Sequence, residues 1–171
     1  DVNQARDTST IEDIRVWLNA EDADPAALVR DVLCENGRRP TRVGVEIDNH
    51  GCTGAALAGI QRALHGVCEW VDASDIVRAL RLVKSPEELD LVRRAAALAD
   101  DAVSAVARTA GPGQLDSALT AAALDAILRG GGDVPPAGPL VNSGRRAVYG
   151  RGVGGPRRLA DRDQVIVELA G

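Results

Sequence analysis

The side chains able to do chemistry are few and scattered. Cys34, Cys52 and Cys68 are the only cysteines, and no Cys-x-x-Cys pair occurs among them. An odd, widely spaced set argues against a disulfide framework and against a zinc site. Cys34 sits in a helical pattern and Cys68 enters an apolar run, positions that suit small core fillers better than nucleophiles. His50 and His65 lie in loop-like contexts with no HxxxH or HxxE spacing, so both are expected at the surface or at caps. The densest charged group is basic: Arg145, Arg146, Arg151, Arg157, Arg158 and Arg162, interleaved with glycine rather than with aromatic residues. Such a stretch can meet an anionic ligand. A general nucleic-acid binder is not expected, because the formal net charge is -5 and a basic stripe is what displaces counterions.

These residues must be positioned by elements that the apolar pattern outlines. With 45% hydrophobic and 26% charged residues, the composition is that of a globular protein. Aromatics make up only 2%, and there is no Phe or Met, so the core must be built from Ala, Val, Leu and Ile. Such a core buries less area per residue, and a fold that leans on further partners is expected. Without an initiator Met, the chain is expected to be a processed chain or a fragment. No apolar run approaches the ~18–20 residues needed to span a bilayer, and no signal-peptide pattern stands at the start. A cytoplasmic protein with no membrane partner is the expectation.

The first half alternates. Ile14–Leu18 is a short apolar run in a strand position. Positions 25–36 form a helical stretch with Asp24 as N-cap, Pro25 at the first helical position and Gly37 as stop. Arg42–Ile47 alternates, with Val43, Val45 and Ile47 on one face. Thr53–Leu64 returns to helix and Val67–Val71 to strand, an order that implies a small α/β layer with a parallel component. A helix over 72–82 follows. Lys84-Ser85-Pro86-Glu87-Glu88 is the clearest local signal: Ser85 can cap, Pro86 suits the first helical position, and Glu88 completes a capping box. The long helix after it carries Leu89, Val92, Ala96, Ala99, Val103 and Val106 at three- and four-residue steps, predicting one continuous buried stripe that ends at Gly111-Pro112-Gly113. Positions 114–129 form a second helix, stopped by Gly130-Gly131-Gly132. The remainder is rich in Gly, Pro and Arg until an apolar strand at 164–169.

Taken in order, these motifs carry a resemblance. Arg81-Leu82-Val83-Lys84-Ser85-Pro86-Glu87-Glu88-Leu89, a long helix, Pro112-Gly113, a second helix, Gly131-Gly132, Leu140-Val141-Asn142-Ser143-Gly144 and Asp163-Gln164-Val165-Ile166-Val167-Glu168-Leu169 resemble the opening of the pita-bread domain of creatinases, prolidases and aminopeptidases P. Val43-Gly44-Val45-Glu46 and Asp72-Ala73-Ser74 resemble the rear of the same family's amino-terminal domain. No single motif is specific, but their order and spacing are. The resemblance implies an α/β (α+β) chain, with residues 1–81 as a partial creatinase-type amino-terminal domain and 82–171 as the front half of a pita-bread catalytic domain.

Two site positions carry over from the resemblance. In peptidase members a His follows the Ser-Gly pair and helps bind substrate and stabilise the tetrahedral intermediate; eight residues from Ser143 stands Arg151. Seventeen further on, where such members have an Asp on the first of two divalent metals (Mn, Co or Zn), stands Glu168. Arg151 keeps a positive donor but cannot shuttle a proton near neutral pH, since a guanidinium stays protonated there. Glu168 keeps the carboxylate on a longer arm, where ligand distances tolerate about 0.2 Å. The family's glycine beside Asp163 is Arg162 here. Glu168-Leu169-Ala170-Gly171 is closer to the ectoine-hydrolase branch, whose relative creatinase works without metal. The other family ligands, a second Asp, a His and two Glu, would follow Gly171.

The resemblance implies a parent hydrolase acting on a small peptide or a small amide or amidine. The Arg151 and Glu168 departures leave a catalytically inactive homologue, serving binding or dimerisation, as the alternative. Glu168 paired with Arg157 or Arg158, and Arg151 as a solvated loop residue, is the structural expectation for the chain alone, which is expected to show no turnover. An open edge on the 165–169 strand invites self-association, and a homodimer is expected.

Overall fold

The structure is a computed structural model that describes residues 2–151 and 155–171. It is a mixed α/β chain in two compact units, the first ending at Val83 and the second spanning Lys84–Gly171.

The first unit holds helices α1 (Val2–Thr8), α2 (Pro25–Cys34), α3 (Gly54–Leu64) and α4 (Ser74–Leu82), with strands β1 (Arg42–Val45) and β2 (Glu69–Asp72). The Asp24 carboxylate accepts from the Ala27 N–H at 3.0 Å and Pro25 begins α2, so the local signals set where this helix starts. Past its end, Asn36 and Gly37 take left-handed φ of 58° and 73°. β1 and β2 pair in parallel, with Val43 opposite Trp70, and α3 is their crossover. Gly44 is required by packing: a Cβ there would stand 2.7 Å from the Ala73 Cβ. Ser74 ties the β2–α4 turn to the end of β1. Its Oγ accepts from the Ile47 and Asp48 N–H groups, each at 3.0 Å, and donates to Asp72 Oδ1 at 2.5 Å. That hydroxyl, then the Ser74 N–H, holds the Asp72 carboxyl below its usual range.

The expected strand at Ile14–Leu18 does not form. Val16, Trp17 and Leu18 are exposed and carry no ladder, because the pattern offered apolar residues without a neighbouring strand to pair them.

The second unit holds α5 (Pro86–Thr109), α6 (Asp116–Arg129), β3 (Leu140–Ser143), a 3-10 turn at Gly144–Val148 and β4 (Val165–Glu168). The capping box forms in full: Ser85 Oγ accepts from the Glu88 N–H at 3.2 Å, and the Glu88 carboxylate accepts from the Ser85 N–H at 2.7 Å. α5 packs on α6, and α6 on β3, around Ala102, Val106, Leu119, Ala123, Ile127, Val141 and Leu159. The small side chains of Ala102 and Ala123, both fully buried, leave room for Leu119 and Ile127.

The buried face of α5 keeps Val106 of the predicted stripe but not its other valines or Leu89. Ala102, Ala105 and Val106 are buried, whereas Leu89, Val92 and Val103 are exposed. A step of three or four residues admits neighbouring faces, and the alanine-rich one wins because it lets α6 approach closely. β3 and β4 pair antiparallel, Ser143 opposite Val165 and Leu140 opposite Glu168. Strand alternation then divides the ribbon. Val141, Val165 and Val167 face the core, while Asn142, Ile166 and Glu168 take the other face.

Candidate functional site

The two carried-over residues lie on different elements of the second unit. Glu168 is the last residue of β4, exposed, on the ribbon face turned from the helices. Beside it Ile166 is 41% exposed, so this face is open on the β4 side, whereas Asn142 of β3 on the same face is buried. Arg151 is exposed on a bend after the 3-10 turn. Neither Arg157 nor Arg158 pairs with Glu168: Arg157 bonds Asp163 and Arg158 donates to the Gly113 carbonyl at 2.8 Å. The expected ion pair is therefore absent, because each guanidinium is engaged by groups on its own side of the loop. Cys34, Cys52 and Cys68 are free thiols, half-buried.

A polar cluster that sequence patterns did not mark as one gathers side chains from positions 116 to 163 of the same unit. Asp116, at the first position of α6, and Ser143, at the end of β3, are both 0% exposed. Asp116 Oδ2 accepts from Arg146 Nη2 at 2.8 Å and from Ser143 Oγ at 3.2 Å. Ser143 Oγ accepts in turn from Arg157 Nη1 at 2.8 Å, and the same Nη1 donates to Asp163 Oδ2 at 2.6 Å. Asp163 Oδ2 also takes the Ala160 N–H at 2.6 Å. The Arg157 bond, then the Ala160 N–H, holds the Asp163 carboxyl below its usual range, and Arg157 is pushed above its own. Two acidic and two basic side chains thus neutralise one another around one hydroxyl.

Local backbone explains why the cluster forms here. α6 starts without a side-chain cap, and its Asp116 N–H donates instead to the Arg157 carbonyl at 2.9 Å. Two further bonds, Leu159 N–H to the Gln114 carbonyl and Gly113 N–H to the Leu159 carbonyl, each 2.8 Å, lay residues 157–159 along the start of α6. Gly144 has a left-handed φ of 57°, and a Cβ there would meet Arg157 Nη2 at 2.5 Å and Asp163 Oδ1 at 3.1 Å. The glycine of the Ser-Gly pair is thus fixed by conformation and by space. Among the described residues, two buried side-chain oxygens have no partner: Asp116 Oδ1 and Asn142 Oδ1, the latter on a residue 3% exposed. Such orphans cost roughly 1–3 kcal/mol each.

Among the described residues no group of three or more His, Cys, Asp or Glu could hold a metal ion. A binuclear centre needs ligands from several strands. The described residues do not make up such a centre by themselves. No described helix is long and apolar enough to cross a membrane.

No family model matches the chain. It is 26% identical over 103 residues to an Xaa-Pro dipeptidase from Pyrococcus furiosus, covering 60% of this chain and 30% of that protein. It is 26% identical over 160 residues to an uncharacterised hydrolase/peptidase from Sinorhizobium fredii, covering 91% of this chain and 41% of that one. An X-Pro aminopeptidase structure from Thermotoga maritima superposes with a TM-score of 0.79 at 16% identity, over 96% of this chain and 43% of that chain. The chain is thus similar in sequence to an Xaa-Pro dipeptidase and to an uncharacterised hydrolase/peptidase, shares its fold with part of an X-Pro aminopeptidase, and spans less than half the length of these proteins.

Proposed function

We propose that the chain is the front part of a hydrolase that cleaves an amide-type C–N bond in a small substrate, with an Xaa-Pro peptide as the first substrate class to test. The observation that carries this reading is the 160-residue match to a hydrolase/peptidase, which runs through both units. In this reading residues 1–81 belong to an amino-terminal domain and 82–171 to the front of a pita-bread domain. Glu168 presents its carboxylate on the open ribbon face. Arg151 supplies a permanently charged donor for the oxyanion that develops when the scissile carbonyl is attacked. Because Arg151 cannot exchange a proton near neutral pH, proton transfer falls to a group elsewhere. A two-metal centre, where the parent has one, would take Glu168 and draw its other ligands from outside the described residues.

The Glu168-Leu169-Ala170-Gly171 ending favours an ectoine- or creatine-type substrate as the second choice within the same reaction type. The β4 edge away from β3 has no strand partner among the described residues, and a homodimer through it is proposed. The functional test uses the full-length gene product. Its manganese, cobalt and zinc content is measured, and it is assayed on an Xaa-Pro dipeptide, ectoine and creatine. Turnover of any of the three supports the reading. A folded product that turns over none favours the inactive homologue, acting as a binding or dimerisation module.

A further inference from the structure

This inference rests on the reading of Glu168 just given. We propose that Arg157 and Asp163 are positioning residues for Glu168, pinning β4 to β3 in the one register that turns the Glu168 carboxylate away from the helices. Arg157 Nη1 donates to Ser143 Oγ at 2.8 Å and to Asp163 Oδ2 at 2.6 Å. Ser143 closes β3 opposite Val165, and Asp163 lies just before β4. One guanidinium nitrogen therefore spans the two strands where their ladder begins. The Gly144 N–H extends that ladder by one bond, to the Gln164 carbonyl at 2.9 Å.

The pin is anchored independently of β4. The Arg157 carbonyl accepts the Asp116 N–H at 2.9 Å, and the Leu159 N–H donates to the Gln114 carbonyl at 2.8 Å, so residues 157–159 are held against the start of α6. Ser143 Oγ donates to Asp116 Oδ2 at the same helix start, at 3.2 Å. From the buried Leu159 the chain reaches β4 through a turn at 160–163, which Asp163 closes by accepting the Ala160 N–H at 2.6 Å.

Two features make the register depend on such a device. A hairpin takes its register from a connection of roughly two to five residues, but positions 144–164 separate these strands. The apolar pattern is also weak within the ladder. Val165, Ile166 and Val167 are all apolar, and the polar Gln164 and Glu168 stand only at its two ends. Side chains alternate along a strand, so a slip by one residue moves each of them to the opposite face. A slip that paired Leu140 with Val167 would turn Ile166 toward the helices in place of the two valines and carry Glu168 past the last pair. Fixing registry is the best-attested use of a partly buried ion pair, whose net contribution to stability is small.

Cross-strand proton contacts measured by NMR on the purified chain read the register directly, in Arg157→Met and Asp163→Ala. The wild type is expected to show the pairing of Leu140 with Glu168 alone. Both variants are expected to lose about half or more of these contacts and to gain those of a shifted pairing, while the α5 and α6 signals stay as in the wild type. Ile166→Thr restores strict alternation with another β-branched residue, and adding it to either variant is expected to return the wild-type contacts. Threonine brings less apolar surface than isoleucine, so this rescue does not arise from general stabilisation. Wild-type contacts alone in both variants, or no rescue, would overturn the proposal. So would unfolding of both with loss of the α5 and α6 signals, since the pair would then serve the core as a whole.

In the full-length gene product, Arg157→Met is expected to lower kcat/KM by about tenfold or more, to recover to within about threefold on adding Ile166→Thr, and to cost less than about twofold once Glu168 is Gln. Losses that add fully to those of Glu168→Gln would contradict the assignment. A wild-type product without turnover, or turnover indifferent to Glu168→Gln, would remove the reading of Glu168, and the contact measurement would then still decide the pin.

Discussion

The two units are held together by different means. Among the described residues up to Val83, only Ala26 and Leu64 are buried hydrophobics, and α4 exposes Ile76, Val77, Leu80 and Leu82. Order there comes from short-range polar devices: the Asp24 and Thr53 caps, and Ser74 with Asp72. From Lys84 onward a continuous apolar core is joined to a buried polar cluster. Local devices fix where an element starts and stops, whereas a shared core makes one element's position depend on another's. Chemistry that needs side chains from several elements therefore belongs in the second unit, and that is where Arg151 and Glu168 stand.

The comparison predicts a ranking of effects. Ile127→Ala, which empties a fully buried site at the centre of the second unit, should cost about 3–4 kcal/mol in a denaturant titration. Gly144→Ala should come next, at about 2 kcal/mol, because it adds a left-handed φ to a clash with Arg157. Ser74→Ala in the first unit should cost only about 1 kcal/mol, since it removes bonds at an exposed turn. Equal losses for Ser74→Ala and Ile127→Ala would erase the contrast between the units. The smallest effect has the opposite sign. Arg162 holds a left-handed φ of 62°, and Arg162→Gly should raise stability by about 0.5–1 kcal/mol.

Acid adds a test of the polar cluster. The Asp163 carboxyl is depressed when folded, so its contribution is present above the unfolded pKa of about 3.9 and is lost as pH falls through the lower folded value. Protection of 155–160 against exchange, taken relative to the intrinsic amide rate at each pH, should therefore fall below about pH 4, and Asp163→Asn should abolish that dependence. A pH response unchanged by Asp163→Asn would assign it to another group.

Much of the secondary structure was legible because it is encoded locally. Asp24-Pro25, Thr53 and Ser85-Pro86-Glu87-Glu88 announce helix starts with residues whose role is at the start itself. The expected strand at Ile14–Leu18 did not form and most of the Leu89–Val106 stripe, Val106 apart, stayed out of the core for the opposite reason, since pairing and face choice depend on what lies opposite. The cluster was illegible for the same cause: Asp116, Ser143, Arg146, Arg157 and Asp163 meet only after α6, β3 and the following loop are in place. One local hint existed. A helix that begins at Asp116 with no capping side chain before it must find donors' partners elsewhere.

The proposal to be tested is that Glu168, on the exposed side of β4, and Arg151 serve one hydrolytic site together with residues outside those described. The most direct measurement is kcat/KM of the full-length gene product on an Xaa-Pro dipeptide, for wild type, Glu168→Gln and Arg151→Ala, beside the 171-residue chain alone. The account predicts turnover by the wild type, losses of about a hundredfold or more in both variants, and none by the short chain. Undiminished turnover in Glu168→Gln and Arg151→Ala, or robust turnover by the short chain, would contradict it.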